Sequence, residues 1–141
     1  MIKRFTAQQF TPSKFATAEE KANFANSLAR FIDGAFQESK FTLPLYRRLS
    51  LTFGHIAHYN QAGFYDAQFA DASHIARFLD GIASHPCYGD PAYTFSDVES
   101  ALQAWVKSEG LAEKWHRIAH NEAVQRDLAT LARLRAQYPN A

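Results

Sequence analysis

The sequence predicts a single all-α domain: a compact bundle of five to six helices around a central buried helix, with an irregular N-terminal arm. Three observations predict it. The chain has 15 Lys and Arg and 14 Asp and Glu among 141 residues, yet the stretch 49–65, LSLTFGHIAHYNQAGFY, contains none of them. Outside that stretch, apolar residues recur at i, i+3, i+4 and i+7, the spacing of one helix face. Two Ser/Thr-x-x-Glu capping boxes, Thr17 to Glu20 and Ser96 to Glu99, mark helix starts, because each partner can satisfy an N–H that has no acceptor inside the helix.

The elements follow in chain order. Residues 1–16 hold Phe5, Phe10 and Phe15. A spacing of five fits neither a helix face nor strand alternation. These rings are read as three anchors of an arm lying on the helical body, with room for one strand turn over 2–6. From 18 to about 37, Phe24, Leu28, Phe31, Ile32, Ala35 and Phe36 form an apolar side opposite Glu20, Asn23, Ser27, Arg30 and Gln37.

The central helix is expected to open at Thr42-Leu43-Pro44, where Thr caps and Pro fits the first turn. It should run to about Asn60, with Gly63 taking a left-handed exit. Leu45, Tyr46, Leu49, Phe53 and Ile56 share one face. Arg47, Leu51, Gly54 and His58 lie opposite, with only Arg47 charged, so both sides are expected to be covered. After one helical turn over 64–69, Asp71 caps a helix from 72 to about 84 that carries Ile75, Phe78, Leu79 and Ile82. His85-Pro86 ends it, since the residue before Pro avoids helical geometry. The loop PCYGDPAY turns. The next helix buries Val98, Ala101, Leu102, Trp105 and Val106 and stops at Gly110.

The last helix, 111–138, is expected to be long or kinked, because its apolar stripe changes side. Leu111, Trp115 and Ile118 share one face, while Val124, Leu128 and Leu131 lie roughly 160–180° around. Twenty-seven residues would reach about 40 Å, against a radius of gyration near 14 Å for a compact domain of this length. Its last turns are therefore expected to project or to fold back. A second copy of the chain, forming a homodimer through this helix, is one way to cover Val124, Leu128 and Leu131.

The net charge is +1, so no overall field points to nucleic acid or to a membrane surface. Charge alternates along the chain: 8 basic and 4 acidic residues in 1–50, 1 and 6 in 51–100, 6 and 4 in 101–141. One cysteine forms no intramolecular disulfide, which suits a reducing compartment. No apolar run reaches the roughly 18–20 residues that span a bilayer, and the start of the chain is too polar for a signal-peptide core. A soluble, cytoplasmic protein is expected.

Several constellations invite chemistry. His55 and His58 are i, i+3, and His116 and His120 are i, i+4; together they would offer four nitrogens to zinc or another divalent metal. Glu113 and His116 have the Glu-x-x-His spacing of di-iron bundles, but such a site needs a second motif and two further Glu residues. HExxH is absent. The plainer reading places His55 and His58 in hydrogen bonds within the core and His116 and His120 on a solvated face. Cys87 has His85 and Asp90 nearby, but it lacks the cationic neighbour or helix N-terminus that makes a thiolate, and it reads better as a small core residue.

No phosphate loop, GxSxG, GxGxxG or zinc spacing occurs. Arg47 and Arg48, near Lys40, and Arg126, Arg133 and Arg135 are the basic clusters from which a weak nucleic-acid contact would be built; ordinary solvated charge explains them as well. Tyr88 and Tyr93, in the loop YGDPAY, would line a protein-binding patch or else pack inward with their hydroxyls at the rim.

TFGHIAHYNQAGFY and PCYGDPAYTFSDVESALQAW, within 42–106, resemble a group of small uncharacterised proteins associated with bacterial plasmids and integrative elements. The resemblance brings no activity and no catalytic residue. It implies a setting, that of accessory proteins which bind host machines, defence systems included. Three functional readings stand in order. The first is a non-catalytic protein-interaction module with no cofactor, an accessory of a mobile genetic element that binds or inhibits a host defence complex. The second is a metal-dependent helical enzyme or sensor using the paired histidines. The third is a nucleic-acid binder.

Overall fold

The computed structural model describes residues 4–52 and 60–140. Among them the chain is all helical, with six α-helices and no strand: α1 (Ala18–Asp33), α2 (Leu43–Thr52), α3 (Gln61–Phe69), α4 (Ala72–Ser84), α5 (Ser96–Ser108) and α6 (Leu111–Gln137). Residues 53–59, which belong to the expected central helix, lie outside the described residues, as do residues 2 and 3 of the strand turn expected over 2–6; its described part, 4–6, is not a strand.

The helix starts follow their caps. Thr17 Oγ1 accepts from Glu20 N at 3.0 Å while Glu20 reaches back to Thr17 N. Thr42 Oγ1 accepts from Leu45 N, and Asp71 Oδ1 from His74 N at 2.9 Å. Two expected signals act differently. Asn60 caps α3 by accepting from Gly63 N at 2.7 Å, so Gly63 sits inside the first turn of a helix instead of ending one. Ser96 starts α5 but does not cap it. Its hydroxyl donates to the Gly89 carbonyl, and Glu99 turns to His85. The tertiary partners out-compete the local box.

α1 ends at Asp33, short of the expected 37. Gly34 leaves the helix, and Ala35 and Phe36 both take left-handed backbone angles, with φ of 59° and 60°. This conformation costs a residue with a side chain about 1–2 kcal/mol. It drops the Phe36 ring into the core, where it meets Phe31 at 5.1 Å, Phe69 at 5.4 Å and Trp115 at 5.4 Å. Burial of the aromatic ring offsets the strain.

The core is one continuous cluster drawn from all six helices and the arm, including Phe31, Leu28, Leu49, Phe64, Leu79, Leu102 and Val106. Phe5 and Phe10 anchor the arm as expected, with Phe5 edge-on to Trp105 at 6.4 Å. Asn26, buried on α1, binds the Phe5 backbone twice, accepting from its N–H at 2.9 Å and donating to its carbonyl at 2.8 Å. Phe15 is not an anchor: it stands 77% exposed, because the turn at 13–16 points it away from the bundle. On α2, Leu45 and Leu49 are buried, but Leu51 is 73% exposed and Arg47 is exposed too. The expected cover over that second face is not seen in the described part of the helix.

Candidate interaction surface

The shift of stripe along the last helix is resolved as two halves of one continuous helix. In the first, Ala112 is buried, Leu111 and Trp115 pack against the core, and α4 runs alongside. From His120 to Asn140 every residue except Ala123 is exposed. The helix is unbroken, and its second half does not return to its own bundle. At 1.5 Å per residue, the free half extends roughly 25 Å.

That free half is not uniformly polar. Val124, Leu128, Leu131, Leu134 and Tyr138 are all exposed, Leu128 by 52%. At 100° per residue the first four fall within an arc of about 120°, and Tyr138 follows at the helix's C-cap. Glu122, Arg126 and Arg133 lie on the opposite side, while Asp127 and Arg135 lie within the arc. A helix with an apolar stripe and a charged back is built to be covered along the stripe. The sequence singled out Val124, Leu128 and Leu131; the structure extends the stripe through Leu134 and Tyr138.

The tyrosine loop is open as well. Tyr88 is 81% and Tyr93 63% exposed, so neither packs inward. The loop beneath them is firmly held. Asp90 accepts from Ala92 N, Thr94 donates to the Asp90 carbonyl, and Lys14 N donates to the Ala92 carbonyl at 2.9 Å. Gly89, with φ of 103°, takes a turn that a side chain would resist, with Thr94 crowding the place of its missing Cβ.

The anchor below this loop is a residue that the sequence reading overlooked. Lys21 is fully buried; its ammonium donates to the Pro91 carbonyl at 2.8 Å and to Asp97 Oδ1 at 3.0 Å, and lies 5.5 Å from the Phe95 ring. Asp97 also accepts from Thr11 N, tying the arm to α5. The available signal was its position: Lys21 falls on the inward side of α1, beside Phe24 and Leu28.

His55 and His58 lie outside the described residues. His116 Nε2 is 2.7 Å from Asp80 Oδ2 on α4, an exposed bridge between helices, and His120 is exposed. Among the described residues, no three His, Cys, Asp or Glu side chains group as a metal site. Cys87 is half-buried, with Sγ 3.5 Å from the His85 carbonyl oxygen. The His85 ring faces Glu99 instead, Nε2 to Oε2 at 2.8 Å. Burial holds the Glu99 carboxyl above its ordinary value, partly offset by His85.

The basic residues have differing surroundings. Arg48 lies over the Phe95 ring at 4.3 Å, Arg133 donates to Gln137 at 3.4 Å, and Arg47, Arg126 and Arg135 are exposed. A cleft of about 810 Å³ runs between α1 and the 34–42 segment, lined by Arg4, Arg30, Asp33 and Lys40 among others. Arg4 is engaged with Asp33 at 2.8 Å and with the Trp105 face at 4.7 Å. No helix among the described residues is long and apolar enough to cross a membrane.

No family model matches this chain, and comparison with curated proteins and with solved structures finds no match either.

Proposed function

We propose that the chain is a non-catalytic protein-interaction module that docks through the free half of α6. One observation carries the reading: four large apolar side chains, Val124, Leu128, Leu131 and Leu134, stand exposed in a stripe on a helix that has left its own core, with Tyr138 exposed at its C-cap. Exposed, largely apolar faces of this kind mark protein contacts, and an amphipathic helix offered to a groove or to another helix is a recurring recognition mode. The open tyrosines 88 and 93 supply a second, aromatic patch of the type favoured at interfaces. The setting, an accessory protein of a mobile genetic element that binds or inhibits a host defence complex, rests on the resemblance of residues 42–106.

The test compares wild type with the Leu128→Glu, Leu131→Glu double variant as bait in extract of the source cell. The expected result is a protein partner held by wild type and lost from the variant, with unchanged helical circular dichroism. Capture that is indifferent to both substitutions would remove α6 from the reading. Stoichiometric metal in untagged protein that has no stripe-dependent partner would favour the histidine alternative instead.

A further inference from the structure

The large apolar residues of the free half of α6 and its C-cap are spaced symmetrically about Leu131. Counting from Leu131, Leu128 and Leu134 stand three residues away on either side. Asp127 and Arg135 stand four away, and Val124 and Tyr138 stand seven away. Each large apolar residue has a large apolar counterpart at the same distance, and the one acid near the stripe has the one base. At 100° per residue Asp127 and Arg135 flank the stripe midline, about 40° to either side. The other charges of the segment, Glu122, Arg126 and Arg133, lie around the back. The whole set is exposed and lies clear of the helix's own bundle.

From this placement we infer that the stripe is occupied by a second copy of the chain, whose α6 runs antiparallel in a twofold contact centred on Leu131. The inference rests on the reading that the stripe is a docking surface, and it names the occupant. In a twofold contact residue i of one copy meets residue j of the other, and j meets i. The antiparallel arrangement places Leu131 on its own counterpart once, and twice each brings Val124 to Tyr138 at the seam and sets Leu128 level with Leu134 and Asp127 level with Arg135 across it. A parallel, in-register pairing would put Asp127 beside Asp127 and Arg135 beside Arg135, which like charges oppose. Pairing along this short a face sits at the small end of specific interfaces, which bury about 1,200–2,000 Å². The dimer therefore forms in a concentration-dependent way.

Sedimentation equilibrium of the purified full chain, from micromolar to millimolar concentration, tests this together with four exposed-site variants. Wild type is expected to pass from monomer to dimer, and Leu131→Glu to remain monomeric. Asp127→Arg sets Arg beside Arg135, and Arg135→Asp sets Asp beside Asp127; each is expected to weaken pairing about tenfold or more. Combining the two reverses both ends of each pair and is expected to restore the wild-type constant to within about threefold. In a parallel dimer the single charge changes leave like beside like, so wild-type pairing with no rescue pattern overturns the register. A monomer throughout overturns the inference. If that monomer still loses a heterologous partner on stripe substitution, the docking role of α6 stands and only the second copy is removed. If it binds no partner, both readings fall.

Discussion

The ammonium of Lys21 is sealed between the Pro91 carbonyl at 2.8 Å and the Asp97 carboxylate at 3.0 Å, so one buried charge joins α1, the tyrosine loop and the start of α5. Asp97 in turn accepts from the backbone of Thr11, and the arm is fastened by the same group. Removing one partner of a buried pair leaves the other without its counter-charge, at a cost of roughly 3–5 kcal/mol. Lys21→Met keeps the stem's length and apolar packing but not the charge. It is expected to lose about 3 kcal/mol in urea unfolding and to make the 88–95 loop an early site of proteolysis. Retention of full stability by Lys21→Met would show that the pair does not hold the arm and loop.

Left-handed geometry at Ala35 gives a second prediction. With φ of 59° the residue carries a steric cost that glycine avoids. Glycine also raises the entropy of the unfolded chain, which takes back about half the gain. Ala35→Gly is expected to stabilise by about 0.5 kcal/mol in denaturant titration. Phe36→Ala removes the ring for which the turn is made and is expected to cost about 4 kcal/mol. If Ala35→Gly destabilises by as much, the turn is not strained in the sense described.

Glu99 sets a pH dependence whose sign follows from burial. Its folded carboxyl titrates above the unfolded value of 4.5, because the nearly buried site disfavours the charged form more than His85 favours it. The folded state therefore binds this proton more tightly than the unfolded chain does. That contribution to stability is fully present below about pH 4.5 and is lost as the pH rises through the folded value. Glu99→Gln is expected to flatten this slope of the urea midpoint just above pH 4.5. Asp71 acts in the opposite sense. His74 holds its carboxyl below the ordinary value of 3.8, so its contribution is present above that pH and is lost as acid protonates it. A midpoint profile unchanged by Glu99→Gln would place the titrating group elsewhere.

The sequence made the fold class readable because helix starts and apolar periods are local. Thr17 with Glu20, Thr42 and Asp71 needed nothing beyond their own turns. The Ser96–Glu99 box was misleading for the same reason: Gly89 and His85, supplied by the fold, drew both side chains away. Phe15 and Phe5 look alike in the sequence, and only the turn at 13–16 decides which ring is buried. Lys21 was hidden because a lysine on an apolar face suggests a snorkelling side chain until its partners, 70 and 76 residues away, are known. The α6 stripe was legible as a phase change in periodicity. That it extends through Leu134 and Tyr138, and that the helix stays unbroken, depended on where the bundle ends.

Because α6 serves two environments, its two halves should answer differently to substitution. Trp115 meets the Phe36 ring at 5.4 Å and packs against the core. Trp115→Ala is expected to cost about 3 kcal/mol. Leu128 and Leu131 touch no core, so Leu128→Glu or Leu131→Glu should change the stability of dilute protein by less than about 0.5 kcal/mol. The same substitutions carry the loss of binding, which separates docking from folding in a single series. Hydrogen exchange at low protein concentration makes the check residue by residue: amides of 111–119 should open only with global unfolding, and those of 124–137 by local fraying. Equal protection along the whole helix in dilute solution would mean that the free half is covered by its own chain, and the stripe would then have no face to offer.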